Sequence, residues 1–372
     1  MRTLVVTNDF PPRPGGIQAY VHSLAVRQPA GEVVVYASSW RGADAFDAEQ
    51  PFPVVRATTS VLLPTRSALR EARAIASAEG CDRVWFGAAA PLGLLARGIG
   101  LPSVASTHGH EIAWARLPAL RQVLRKVGRD VDALTSLGDY TGARLADVMR
   151  APFTKLPPGV DTTVFRPGLG ASVRADLGLT DRPVVVCVSR LVPRKGQDVL
   201  IRALPLVQQR IPGAALLLVG GGPLAPRLRE LAASVGVADD VVMTGSVPWE
   251  TLPSYHDAGD VFAMPCRSRR AGLEVEGLGI VYLEAAATGL PVVAGDSGGA
   301  PDAVLPGETG AVVDGTDLDA ITRAVGDLLA DPARAAAMGA AGRAWTERAW
   351  TWSILGARWR AIVTGDQSFG AE

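Results

Sequence analysis

A chain of 372 residues is too long for one ordinary hydrophobic core and fits two domains. At 48% hydrophobic and 20% charged residues it is a globular sequence rather than a disordered one, and its equal counts of basic and acidic residues, 37 each, argue against a general nucleic-acid binder. The three cysteines, Cys81, Cys187 and Cys266, stand far apart in no CxxC or Cys/His cluster, which argues against a disulfide framework or a zinc site.

Apolar runs of strand length alternate with longer amphipathic segments. In the first half the pattern predicts strands at Leu4–Thr7, Val33–Ala37, Val84–Phe86, Ser103–Thr107, Ala133–Ser136 and Thr154–Leu156, and helices that include Ile17–Arg27, Ala68–Ala78, Leu120–Val127 and Tyr140–Met149. The second half repeats it, with strands at Val184–Val188, Ala215–Val219, Val241–Thr244, Val261–Met264, Pro291–Ala294 and Gly310–Val313. Such alternation specifies an α/β fold of two doubly wound parallel sheets, each covered by helices. The Pro/Gly-rich stretch PPGVDTTVFRPG, residues 157–168, reads as the linker, dividing a domain 1–165 from a domain 166–349. Ligands bind outside the carboxyl ends of strands in such sheets, so a cleft between the two domains is the expected active site. In the tail, 350–372, the helical spacing of Trp352, Leu355, Trp359 and Ile362 predicts buried packing, and Gly365–Glu372 is expected to fray.

No run of about 20 apolar residues lacks charges, so no membrane span is expected. The opening MRTLVVTNDF runs straight into a strand pattern without a secretion signal, which suggests the cytoplasm.

Five motifs carry chemistry. PPRPGGIQ, residues 11–18, places Gly15 and Gly16 between the first strand and a helix whose N–H groups would face an anion, although an ordinary strand–helix turn also explains it. It is not GxGxxG, which disfavours a dinucleotide. SRLVPRKGQD, residues 189–198, sets Arg190 and Lys195 around a loop after a buried strand, suiting a diphosphate; the plain alternative is two solvated cations. GGGP, residues 220–223, is a tight turn suited to a nucleotide or a plain loop. Glu276 and Glu284 stand eight residues apart, about 12 Å if the segment is helical. That span is too long for a shared acid/base pair and suits opposite ends of one ligand. Finally, STHGHE, residues 106–111, puts His108 at a strand's carboxyl end; its His-x-His-Glu string lacks further visible metal ligands, and a structural histidine stays open.

In this order along the chain, the Gly-Gly turn, His108, the PGVDxxxF linker, Arg190-x4-Lys195, Glu276-x7-Glu284 and the GGAPD loop resemble the GT-B retaining glycosyltransferases of family 4. NDFPPRPGGIQ together with THGHE is most similar to the actinobacterial GDP-mannose-dependent α-1,6-phosphatidylinositol monomannoside mannosyltransferases. The resemblance implies two Rossmann-like domains, acceptor-binding before donor-binding, with the tail packed back on the first. It implies mannose transfer from GDP-mannose to a phosphatidylinositol mannoside at the inner membrane face, with no metal and no structural cofactor. By the same resemblance Gly16 would meet the donor phosphate, Arg190 and Lys195 the diphosphate, Glu276 the donor sugar and Glu284 the ribose. The backbone near Gly298, Gly299 and Ala300 would complete the donor loop. His108 would face the transferred sugar, and Asn8 and Asp9 the inositol acceptor.

Residues 112–129 hold five cations and no acid, and Arg66, Arg70 and Arg73 repeat at helical spacing near Leu62, Leu63 and Leu69, so peripheral contact with anionic membrane is expected beside the reading of a solvated face. Other readings stay open: another nucleotide-sugar donor or a soluble acceptor, a sugar-nucleotide epimerase, or a non-catalytic nucleotide-sugar binder. A phosphorylase would need a pyridoxal-phosphate lysine, and Lys195 is the single lysine after residue 165.

Overall fold

The computed structural model describes residues 1–366, so the fraying expected of Gly365–Glu372 falls, from Gln367 on, outside the described residues. The chain forms two compact units: Met1–Pro158 with the described residues from Trp352 on, and Gly159–Thr351.

In the first unit seven parallel strands, β1 (Thr3–Thr7), β2 (Val33–Ala37), β3 (Val54–Arg56), β4 (Arg83–Phe86), β5 (Ser103–Thr107), β6 (Ala133–Ser136) and β7 (Phe153–Lys155), lie in the order β3-β2-β1-β4-β5-β6-β7. In the second unit six more, β8 (Val184–Val188), β9 (Ala215–Val219), β10 (Val241–Gly245), β11 (Val261–Met264), β12 (Val292–Gly295) and β13 (Gly310–Val313), lie in the order β10-β9-β8-β11-β12-β13, again parallel. β1, β2, β5, β8 and β9 are buried at every position, because helices cover both faces; β2, β8 and β9 therefore read as continuous apolar runs rather than alternating ones. Strand order reverses between β1 and β4 and between β8 and β11, and the carboxyl ends beside these reversals are where loops gather around a ligand in open α/β sheets.

The units divide inside the linker, between Pro158 and Gly159. From Gly159 it packs with the second unit: the Val160 N–H donates to the Trp350 carbonyl at 2.7 Å, and Phe165, 2% exposed, sets its ring against His256. The tail helix Trp352–Thr364 buries Leu355 and Trp359 in the first unit. Trp359 meets Trp85 edge-on at 5.1 Å, Arg83 donates to the Val363 carbonyl, and Arg360 pairs with Glu32. The three cysteines are free and buried; burial pushes each thiol up to about 11, which keeps it protonated.

Candidate active site

In the second unit the chain leaves β8 at Ser189 and makes a tight loop. Gly196, at φ 80, ends it and opens the helix Gln197–Gln208; a Cβ there would sit 2.1 Å from the Pro265 carbonyl oxygen, so the close approach needs glycine. Gln197 is fully buried and ties the loop back, its Nε2 donating to Ser189 Oγ at 2.8 Å and to the Arg190 carbonyl at 3.1 Å. This turn directs Lys195, 8% exposed, onto Glu276, 7% exposed, with Nζ 2.7 Å from Oε2. Arg194 Nε stands 3.8 Å from the same oxygen. Arg190 is exposed, so Lys195 and Arg190 are a buried and a solvent-facing cation at one strand end.

Glu276 is not on a helix. The helix begins only at Ile280 after Gly279, at φ 81, so the helical separation expected between Glu276 and Glu284 does not apply. Glu276 lies in a loop held by the 297–300 segment: its N–H donates to Ser297 Oγ at 3.4 Å and its carbonyl accepts from the Gly299 N–H at 3.0 Å. Gly298, at φ 62, packs so closely that a Cβ would lie 2.0 Å from the Glu276 carbonyl oxygen. The Gly299 and Ala300 N–H groups already donate to Glu276 and Ser297 carbonyls, which leaves Gly298 as the backbone donor of the three. Glu284, on the helix Ile280–Ala287, approaches buried His256 rather than any cation, Oε2 to Nε2 3.6 Å.

A cavity of about 300 Å³ opens at the carboxyl ends of β8, β9 and β10, lined by Arg190, Gly220, Gly221, Ser246, Val247 and Leu252 among others. The GGGP turn forms its wall: at Gly220 a Cβ would meet the Ser189 carbonyl at 2.2 Å, and at Gly221 Ser246 Oγ at 2.6 Å. Another cavity, about 470 Å³, lies at the opposite ends of β8, β11 and β12, but its Arg174 and Asp260 pair with each other and Arg182 with Asp240.

In the first unit His108 follows β5 and is 9% exposed. Its Nε2 lies 2.6 Å from the Gly87 carbonyl, which can only accept, so Nε2 carries the proton and a neutral ring leaves Nδ1 as an acceptor. Burial lowers the pKa of His108 below the ordinary histidine value, against the opposing pull of Glu111. Glu111, missed as more than a possible metal ligand, is completely buried and accepts the His108 and Gly109 N–H groups at 3.1 and 3.0 Å, fixing the turn. Among the described residues no group of three or more His, Cys, Asp or Glu is placed to hold a metal ion.

Gly16 begins the helix Gly16–Ala25 with open space around it; the position that favours glycine is Gly15, at φ 154. Asp9 Oδ1 accepts from Gln18 Nε2 at 2.6 Å. The Asn8 carboxamide is bound to Leu62, donating to the carbonyl at 2.9 Å and accepting from the N–H at 2.6 Å. Leu62 itself is buried, so of the apolar residues expected near the Arg66 face, Leu63 is the exposed one, joined by Val61. Among the described residues no helix is long and apolar enough to cross a membrane.

The family model for Glycosyltransferase Family 4 matches residues 14–164, and that for Glycosyl transferases group 1 matches residues 172–345. A GDP-mannose-dependent alpha-(1-6)-phosphatidylinositol monomannoside mannosyltransferase of Mycolicibacterium smegmatis is 54% identical over 97% of this chain and 98% of its own length. A GDP-mannose-dependent monoacylated alpha-(1-6)-phosphatidylinositol monomannoside mannosyltransferase of Corynebacterium glutamicum is 47% identical over 98% of each chain. Among solved structures, Anabaena HepE in complex with UDP superposes with a TM-score of 0.84 over 98% of this chain and 100% of that one; at 18% identity it speaks for the GT-B fold alone.

Proposed function

Because the chain belongs to the family 4 glycosyltransferases, with full-length relatives named GDP-mannose-dependent phosphatidylinositol monomannoside mannosyltransferases, we propose that it moves mannose from GDP-mannose onto the monomannoside with an α-1,6 link and retained configuration. The observation that carries the chemistry is the buried Lys195–Glu276 pair beside exposed Arg190 at the end of β8. A paired lysine and glutamate are costly to bury and make sense where a charged ligand completes the site.

The bond from the anomeric carbon to the β-phosphate oxygen breaks while the acceptor oxygen attacks from the same face. The acceptor's proton passes to the leaving phosphate. Lys195 and Arg190 stabilise the charge that gathers on the diphosphate, an effect that grows towards the transition state. Glu276 accepts hydrogen bonds from the sugar and Glu284 from the ribose, while the Gly298 N–H completes the donor loop. The 300 Å³ cavity behind Arg190 takes the base. In the first unit Gly16 offers its N–H to the donor phosphate at the start of its helix. Neutral His108 presents Nδ1 to a hydroxyl of the transferred sugar, and Asp9, rather than Asn8, remains as the acceptor contact. The first unit serves the acceptor and the second the donor.

Membrane contact at the inner face belongs to the same reading. Arg66, Arg70 and Arg73 are exposed along one helix beside Val61 and Leu63, and Arg116, Leu117 and Arg121 are exposed near a second basic helix, Pro118–Asp130. On that second helix Lys126 and Arg129 are partly neutralised by Asp130, so the Arg66 face is the stronger candidate.

Thermal stabilisation by GDP, UDP and ADP, each with its sugar derivative, tests the donor. Stabilisation by GDP and GDP-mannose alone is expected; stabilisation by a uridine nucleotide instead would discard the mannose donor.

A further inference from the structure

We infer that His256 is the positioning residue for Glu284: a buried imidazole that turns the carboxylate towards the ribose diol of the donor. The inference rests on the proposed ribose role of Glu284 and goes beyond it. His256 comes from the short helix Leu252–Asp257 and is completely buried, yet among the described residues neither ring nitrogen has a hydrogen-bond partner. Buried polar atoms are nearly always satisfied, so an imidazole left without partners on both nitrogens calls for an explanation.

Its surroundings fix the ring. Phe262 stacks against it at 5.5 Å and 19°, and Phe165 abuts it edge-on at 5.6 Å and 83°. Held between two aromatic rings, the imidazole has its Nε2 3.6 Å from Glu284 Oε2, just beyond hydrogen-bond distance. The Glu284 side chain is 12% exposed, and among the described residues its carboxylate has no hydrogen bond. A small rotation of Glu284 closes the gap: Nε2–H donates to Oε2, and the other carboxylate oxygen is left to accept from a hydroxyl. Packing alone would be served as well by phenylalanine, which would avoid burying two polar nitrogens. A ring that donates to a carboxylate would not.

The test is the affinity of the full chain for GDP and for 2′,3′-dideoxy-GDP, measured by calorimetry for the wild type, His256→Phe and His256→Gln. The wild type should prefer GDP by roughly tenfold or more, the scale of hydrogen bonds lost to a carboxylate. His256→Phe, which keeps the packing and removes the donor, should lose most of that preference; His256→Gln, which keeps an N–H, should retain much of it. A second reading needs no variant. The chain has four histidines, so ring-labelled histidine gives four resolvable signals, and the His256 signal should move on adding GDP and not on adding dideoxy-GDP. An unchanged GDP preference in His256→Phe, or a ring signal that responds equally to both nucleotides, overturns the role of His256 and leaves that of Glu284 standing. A wild type that does not distinguish the nucleotides overturns the ribose role of Glu284, and the inference with it.

Discussion

Lys195 has two separable functions at the residue scale. As a stabiliser of leaving-group charge it should contribute about 10²–10³-fold to turnover, so Lys195→Ala should lower kcat by that factor at saturating donor, and near-normal turnover would remove it from the mechanism. As the partner of Glu276, 2.7 Å away, it also prevents an uncompensated buried carboxylate, so the same change should cost about 3–5 kcal/mol of stability. The double change Lys195→Met with Glu276→Gln should recover the melting temperature, which isolates the pairing role, while activity stays low because both residues serve the donor. His108 and His22 are both held below the ordinary histidine pKa, mainly by burial. The folded state then binds fewer protons than the unfolded chain. Their stabilising contribution is complete above the unfolded value of about 6.5 and is lost as pH falls through the lowered folded values. Urea midpoints should therefore drop between pH 7.5 and 5.5, and His108→Gln should flatten part of that slope; a steeper slope in the variant would contradict the assignment. The residue types were legible from order and spacing, but their partners were not. Nothing local in the sequence ties Lys195 to Glu276, 81 positions on, or Asn8 to Leu62, because each pair meets only through the fold.

Among the elements, strands buried on both faces were legible to the residue: Val33–Ala37, Val184–Val188 and Ala215–Val219 are apolar runs of strand length, and burial leaves no alternation to misread. β3 was missed because it is a three-residue edge strand, half-buried throughout and led by a proline. Glu276 does stand before a helix, but the left-handed Gly279 delays its start to Ile280, so the helical spacing to Glu284, read only on the condition of a helix, does not hold. Glycines in loops divide into required and permissive ones. Gly298→Ala adds a methyl 2.0 Å from a carbonyl oxygen at a positive φ and should cost about 1–3 kcal/mol, with weaker donor binding. Gly16→Ala meets open space at the first helical position and should leave the stability within about 0.5 kcal/mol of wild type. Equal losses in the two variants would show that the donor loop is not built on that close approach.

For the whole molecule, the repeated strand–helix pattern announced two parallel sheets, and the apolar spacing of the tail announced its packing; the units divide between Pro158 and Gly159, inside the Pro/Gly-rich linker, and Val160 and Phe165 pack within the second unit. The basic face of the helix Arg66–Ala78 should act as a unit against anionic vesicles. With about 1 kcal/mol per cation near the surface, replacing Arg66, Arg70 and Arg73 by Gln should reduce partitioning in a flotation assay by roughly two orders of magnitude. Unchanged flotation would move the contact elsewhere. The proposed reaction is tested most directly by the structure of its product. Incubation with ¹³C-labelled GDP-mannose and phosphatidylinositol monomannoside, followed by NMR of the lipid, should reveal one added mannose in α configuration on a 6-hydroxyl. A β-linked product, or transfer only from a uridine-linked sugar, would contradict it.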